Sequence, residues 1–461
     1  MKLNKIAIAA AFVSASVAFT GCNMYGKFKM PEDSALGQEY AKAVKEEVDS
    51  TTFGNLKWQQ VFTDPTLVDL IYQALDNNKD LKNAKLNVDI AHAQLLGAKL
   101  SYLPSLAFTP NGAGAKYASN SFSWTYQLPL AASWEIDVFG KILNSKRGAA
   151  ASYQMSMDYQ QAVRSQIIGA VANTYYSLAA VESQLALSRS TAELWKQNVK
   201  TMKDFKEAGR VTEAAVVQSE AQYYSILASI TDLETQLDAV NNTMSLLMNV
   251  MPQKWVVSPN ASLEAPEILR EAIPMKELAA RPDVRAAEQS LAVAYYTTAG
   301  ARSAFYPSLN ITANGGFTNL LGSFIKNPGD WFIQLAGSLT APLFSRGANI
   351  ARLKAAKAQQ QQALNNFEYT IMSASAEVSD ALTAYQKNIE KSAYLAQQVE
   401  KLQASVDITE ELLHYGTAYT TYLEVLTAQQ SLLQSQLSVI SCDRARAAAV
   451  INLYQSLGGG R

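Results

Sequence analysis

The chain has 461 residues, of which 48% are hydrophobic and 17% charged, and a formal net charge of −1. It is long enough for a large core and too apolar for a disordered tail. It is also too evenly charged to offer nucleic acid a basic footprint.

The chain opens with Lys2 and Lys5, then an unbroken run of apolar and small residues from Ile6 to Phe19, closed by Gly21-Cys22. That order reads as a secretory signal peptide over residues 1–21; a spanning helix would need roughly 20 apolar residues. Cys22, directly after Thr20 and Gly21, resembles the cysteine of the bacterial lipobox, which is diacylated and becomes the mature N-terminus, although Phe19 stands where leucine is usual. A plain secreted protein with a cysteine near its cleavage site is the other reading. Asn23 follows where aspartate would signal inner-membrane retention, so the anchor points to the outer membrane. With Cys22 lipidated, Cys442 is the only other cysteine and no intramolecular disulfide is available. Residues 22–66 read as a lipidated N-terminal tail, and 67–251 as a first folded repeat.

That repeat begins with a helix and a proline junction at Pro104. A first strand is expected over about 105–117 and a second over about 122–137. In the second, Phe122, Trp124, Tyr126, Leu128, Leu130, Ala132, Trp134 and Ile136 alternate with Ser123, Thr125, Gln127, Pro129, Ala131, Ser133 and Glu135. Such alternation suits a lipid-facing barrel strand, with Phe122, Trp124 and Trp134 as interfacial girdle residues. It equally suits a soluble antiparallel sheet with one buried face. No run after residue 22 is apolar enough to span as a helix, so any membrane passage must use strands.

All 13 prolines lie outside residues 130–251 and 343–461. Both windows are rich in Ala, Gln, Ser, Leu and Glu, which favour very long helices. Ala208-Gly209-Arg210 interrupts the first pattern, predicting an antiparallel helical hairpin with its tip near 209. A proline-containing linker follows over 252–280, then a second repeat over 281–461. Its strands are expected at about 308–319 and 330–342, the latter opening with Trp331 as a further girdle residue. Its long helix carries a heptad: Phe367, Ile371, Ala374, Val378, Ala381, Tyr385, Asn388, Ser392, Leu395, Val399, Leu402, Val406, Thr409 and Leu413 recur at spacings of three and four. This predicts coiled-coil packing. From Asn349 to His414 such a helix would run on the order of 100 Å, at about 1.5 Å per residue. Tyr415-Gly416-Thr417 marks the second tip, near 416.

The halves are copies of one another. Asp80 through Leu106 aligns without gaps to Asp283 through Leu309 at an offset of 203, and Phe139-Gly140-Lys141 lines up with Phe344-Ser345-Arg346 at an offset of 205. One unit is used twice in tandem. The fold class is therefore mainly α with a transmembrane β-barrel, in which each repeat contributes a strand pair and a long helical hairpin. Four strands cannot close a barrel, since the smallest membrane barrels use about 8, and open edges in hydrocarbon cost several kcal/mol per unpaired group. Three copies would supply about twelve strands and six hairpins.

Several motifs carry a family resemblance. Trp58, Phe62, Asp64-Pro65, Leu67, Leu70-Ile71, Ala74-Leu75, Asn78 and Asp80-Leu81 resemble the opening motif of the TolC-type outer-membrane efflux proteins, in their lipoprotein branch partnered with resistance-nodulation-division pumps. Arg281-Pro282-Asp283-Val284 and Tyr306-Pro307-Ser308-Leu309 are similar to its second-repeat motif, and Trp134-Glu135-Ile136-Asp137-Val138-Phe139-Gly140 to its strand-to-helix junction. The resemblance implies a homotrimer with a twelve-stranded barrel in the outer membrane. It also implies a periplasmic helical cylinder docking onto a periplasmic adaptor (membrane fusion) protein and an inner-membrane pump. In that family acidic side chains often narrow the periplasmic mouth. Glu424 matches one such position, while Thr427 stands where another acidic residue is common. Arg210 and Glu213 flank the other tip as further aperture candidates that would join a network with Glu424; solvated turn charges are the other reading of all three.

The expected function is a passive, gated exit duct for drugs or other small molecules. The outer-membrane component of a type I protein secretion system differs only in its partners. A lipid-anchored coiled-coil scaffold explains the heptads but not the four alternating strands. An enzyme is disfavoured, because no nucleophile elbow, phosphate loop or zinc helix motif is present. His92 and His414 lie outside any cluster at metal-ligand spacing, so no cofactor or metal is expected.

Overall fold

The computed structural model describes residues 25–45, 53–116, 121–258, 261, 275–321, 324–414 and 422–460. The elements in chain order are helices α1 (Ala35–Ala43), α2 (Trp58–Val61), α3 (Pro65–Asn77) and α4 (Lys79–Leu100); strands β1 (Ser105–Phe108), β2 (Asn111–Ala115) and β3 (Ser123–Ile136); helices α5 (Lys141–Glu207), α6 (Glu213–Leu247), α7 (Met275–Ala279) and α8 (Pro282–Ser303); strands β4 (Ser308–Leu321) and β5 (Phe324–Thr340); and helices α9 (Ala348–His414) and α10 (Tyr422–Ser456). They divide into two compact units. The first comprises residues 1–38, 86–158 and 285–369, and the second residues 39–85, 159–284 and 370–461.

The first unit holds one antiparallel sheet in which β1 and β2 both pair with β3, β3 with β4, and β4 with β5. The single first strand expected over 105–117 is two segments, and proline chemistry explains the interruption. Register against β3 is the same on both sides of it, Phe108 facing Leu130 and Asn111 facing Gln127. Between them Pro110 and its neighbour across the seam, Pro129, have no N–H to donate, and Thr109 N–H to the Pro129 carbonyl, at 3.1 Å, is the bond that remains. The sheet is thus four strands wide. The last hairpin runs further than 319 and 330, since pairing continues past a bulge near Thr318 to Leu321 opposite Phe324.

In the second unit side-chain bonds fix a row of helices. Three ion pairs join α5 to α6, namely Arg189 with Glu234, Lys203 with Glu220, and Lys206 with Glu213, in antiparallel order about one tip. Exposed pairs of this kind contribute about 0–1 kcal/mol each, so they select register more than they stabilise. Gln184 to Ser441 (3.0 Å) and Asn198 to Gln429 (3.0 Å) lay α10 antiparallel along α5. Gln429 to Glu410 (2.6 Å) joins α10 to α9 on its other side. Along α9 the heptad positions from Phe367 to Leu413 are all buried or half-buried, and most of the residues between them are exposed. Tyr385 packs in the cluster that holds Val450, and Leu413 in the one that holds Leu426, so this seam faces α10.

The α5–α6 turn is closed by backbone geometry. Gly209 has φ +71°, and the N–H groups of Gly209 and Arg210 bond the carbonyls of Lys206 (2.9 Å) and Phe205 (2.8 Å). That is the Schellman arrangement, whose left-handed position favours glycine. The turn near 416 lies outside the described residues.

Two expected boundaries move. Residues 58–66 are core rather than tail, because Trp58, Val61 and Phe62 are buried in the same cluster as Ile71, Val171 and Tyr454. The start of the 252–280 linker is also pinned, with Trp255 N–H bonded to Asn241 Oδ1 (2.9 Å) and its indole N–H to Ser245 Oγ (2.9 Å). Asp64 ties this region together. It caps α3 through Thr66 N–H (2.9 Å), with Pro65 in the first turn, and accepts from Tyr175 OH (2.7 Å) and Ser258 Oγ (3.1 Å). Arg281, 5% exposed, closes the opposite junction by donating to Asp283, Glu377 and the Ser456 carbonyl.

These contacts have measurable consequences. Burial alone would raise the Asp64 carboxyl, but hydrogen bonds from Tyr175, Thr66, Ser258 and Leu67 bring it below its ordinary 3.8. Because the folded value lies below the unfolded one, the stabilisation is fully present above the unfolded value and is lost as pH falls through the folded one. Asp64→Ala should lower stability by about 1–3 kcal/mol, and Asp64→Asn should flatten the acid limb of the melting temperature against pH. Gly209→Ala meets no atom within 4 Å, so its cost is conformational, about 1 kcal/mol. Thermal melts in detergent should show Gly209→Asn to be milder, since asparagine tolerates the left-handed region better.

Candidate functional site

Register across the sheet sorts side chains into two faces. One carries rows such as Phe108, Leu130, Gly315 and Ile333; Leu128, Phe317 and Trp331; and Trp134, Ile311 and Gly337. The other carries Ser105, Ser133, Thr312 and Ala336, then Glu135, Asn310 and Ser338, then Ala131, Asn314 and Gln334. Alternation over four strands in fixed register can only produce such a two-faced sheet.

The apolar face is uncovered within the chain. Phe122, Trp124, Trp134 and Trp331 are 52%, 68%, 41% and 70% exposed, and Leu106, Phe108, Ile333, Leu335 and Leu339 are exposed with them. Phe122 and Trp124 meet edge to face at 5.1 Å. An apolar exposure of this extent calls for an apolar solvent or a partner. No helix among the described residues is long and apolar enough to cross a membrane, so the strands are what the chain offers to lipid. Among the described residues the sheet also ends on two unpaired edges. β4, paired on both sides, is largely half-buried, whereas β5 is exposed along most of its length.

The end of the sheet where Trp124 lies is sealed by polar side chains. Buried Asn319 accepts from Tyr126 N–H (2.6 Å) and donates to the Trp124 carbonyl (2.8 Å), replacing ladder bonds where the bulge breaks pairing. At the opposite end Asp137 Oδ2 accepts from Leu143 N–H (2.7 Å) and Glu135 pairs with Lys141 (2.7 Å), which turns the strand into α5. Here the tail is held as well. Tyr25 OH donates to the Val138 carbonyl, and Arg147 donates to the carbonyls of Tyr25 (2.9 Å) and Gly26 (3.0 Å). Cys22 lies outside the described residues. The role of Tyr25 and Arg147 has no sequence signature, because a residue 122 positions away in the chain supplies the bond.

At the tips, Arg210 lies over the Phe205 ring at 5.9 Å and Glu213 pairs with Lys206, so both find partners within their own hairpin. Glu424 is exposed in the first turn of α10. Two residues before it, buried Tyr422 packs with Trp195 and Val216 and meets Ser219 Oγ at 3.4 Å. Burial drives the Tyr422 hydroxyl pKa upward, only partly offset by the bond to Ser219. Lys203, Lys206 and Glu220 carry no motif in the sequence, because their pairing across the hairpin depends on how the turn at Gly209 is closed.

The profile of the outer membrane efflux protein family matches residues 70–250 and 273–459. The chain is 30% identical to the probable outer membrane lipoprotein SilC of Salmonella typhimurium over 418 residues, covering 87% of this chain and 88% of SilC. It is 28% identical over 455 residues to the cation efflux system protein CusC of Escherichia coli O157:H7, covering 96% and 97%. A crystal structure of CusC matches with a TM-score of 0.81 at 26% identity, over 94% of this chain and 99% of that one. The toluene efflux pump outer membrane protein TtgF of Pseudomonas putida is 28% identical over 467 residues, covering 97% and 96%. The chain belongs to the outer membrane efflux protein family.

Proposed function

We propose that three copies of this chain form a passive, gated exit duct. Their sheets together make a twelve-stranded barrel in the outer membrane, and their six helical hairpins wall a cylinder in the periplasm. The observation that carries the reading is the four-stranded sheet with an exposed apolar face and, among the described residues, two unpaired edges. A sheet in hydrocarbon must have every backbone group paired, and four strands are about half of the smallest membrane barrel. The polar rows led by Ser133, Glu135 and Ala131 would then line the lumen.

Residues 67–251 and 281–461 are two uses of one unit, which the 203- and 205-residue offsets support. Cys22 carries the lipid. Tyr25, three residues on, is held at Val138 where β3 ends, so acyl chains would enter the bilayer beside the barrel. The hairpin tips meet a periplasmic adaptor protein, and an inner-membrane pump of the resistance-nodulation-division type supplies the energy. CusC points to cations as cargo and TtgF to an apolar organic molecule; small-molecule efflux covers both. Three copies of Glu424 projecting at the mouth would attract cations.

Mass in detergent should correspond to three chains, and the trimer should pass ions across a planar bilayer. A folded trimer without current would leave only a scaffold. Brominated lipids should quench the Trp124, Trp134 and Trp331 fluorescence. Phe substitution at each of the three should reduce the quenching, whereas Trp195→Phe, inside the helical core, should not. Glu424→Gln should lower the preference for cations over anions in single-channel recordings, and Glu213→Gln, at the other tip beside Lys206, should change it less.

A further inference from the structure

The internal duplication assigns contacts that the single chain cannot make. Where the first repeat meets the second, β3 pairs with β4, and just beyond the paired segment Phe139 stacks on Tyr306, ring centroids 5.0 Å apart and planes at 23°. At the 205-residue offset the counterpart of Phe139 is Phe344, and at the 203-residue offset the counterpart of Tyr306 is Leu103. Within the chain these counterparts have not met. Phe344 is 87% exposed, Leu343 beside it 96%, and Leu103 is exposed as well. The same offsets carry β3 onto β5 and β4 onto β1, the two strands whose outer edges are bare.

We infer that Leu343 and Phe344 of each subunit close over Leu103 of the partner subunit, repeating between chains the stack that Phe139 and Tyr306 make within one. The seam beside it pairs β5 antiparallel with the next subunit's first strand. Transferred through the two offsets, the pair Trp134 and Ile311 becomes Leu339 opposite the partner's Phe108. Ile136 and Leu309 become Ala341 opposite the partner's Leu106. Parity supports this register. Leu339, Leu106 and Phe108 all lie on the apolar face and are exposed, so their pairing leaves that face continuous. A shift by one residue would put polar side chains on it. The exposed aromatic is thus a subunit contact rather than a membrane anchor. Aromatic packing against a neighbour also adds burial that lipid contact does not direct.

This inference rests on the trimeric reading and is tested separately from it. In a background with Cys442→Ser, the pair Leu103→Cys and Phe344→Cys is treated in detergent-solubilised trimer with a short bifunctional thiol reagent. The expected result is a ladder of covalent dimer and trimer on denaturing gels, absent from either single variant. The control pair Phe139→Cys and Tyr306→Cys should react within one chain and give no ladder. A trimeric mass with no ladder from Leu103→Cys and Phe344→Cys overturns the seam and leaves the duct standing. A monomeric mass overturns both. As a second measurement, Phe344→Trp should retain trimer and resist quenching by brominated lipid; strong quenching assigns the residue to the membrane and overturns the seam.

Discussion

A β-strand in hydrocarbon has nowhere to place an unpaired N–H or carbonyl, and this requirement governs the rest of the molecule. The sheet presents exposed hydrophobic rows over four strands and, among the described residues, stops at two edges. Water satisfies such edges in a soluble sheet; lipid does not. Interruptions therefore appear only where local chemistry imposes them. Pro110 and Pro129 sit beside one another across a single seam, concentrating two missing donors at one break. Asn319 supplies side-chain groups where the β4 bulge leaves Tyr126 and Trp124 without ladder partners.

The helices solve the opposite problem. Their outer faces meet water, so their packing is confined to narrow seams between lateral neighbours. The α9 heptad buries one stripe against α10, and polar bonds such as Gln184 to Ser441 set the alignment of α10 on α5. A row of helices held this way can wall a wide space without filling it, because no residue has to reach a common centre. Exposed ion pairs along α5 and α6 are individually weak, yet their antiparallel order makes any slipped register lose all three at once. Where strength is needed, at the base of the hairpins, the chain uses buried aromatics and satisfied charges. Trp58, Tyr175 and Tyr454 pack in one cluster, Asp64 accepts from Thr66, Tyr175 and Ser258 among others, and Arg281 holds two carboxylates and a carbonyl.

Duplication links the two halves of the design. A unit of strand pair plus hairpin, repeated, yields one contact inside the chain and leaves an equivalent contact unmet at its ends. Phe139 on Tyr306 is the contact made, and Phe344 and Leu103 are what is left over.

Periodicity and proline placement in the sequence determined the element types, the long hairpins, the two-faced strands and the heptad seam, because each is a local rule with period 2, 3.5 or 3.6. Trp124, Trp134 and Trp331 could be placed on one face by counting alone. Whether that face is covered could not, since alternation is identical for a buried and an exposed sheet; only the tertiary structure, among the described residues, leaves those side chains exposed. The same holds for residues 58–66, whose local pattern suits a tail and whose burial depends on Val171 and Tyr454 far along the chain. Arg210 and Glu213 were legible as tip charges, but the partners they chose, Phe205 and Lys206, depend on how the turn at Gly209 is closed. Contacts between residues more than a hundred positions apart, such as Tyr25 with Val138, leave no periodic trace, because nothing in a local spacing encodes where a distant backbone carbonyl will stand.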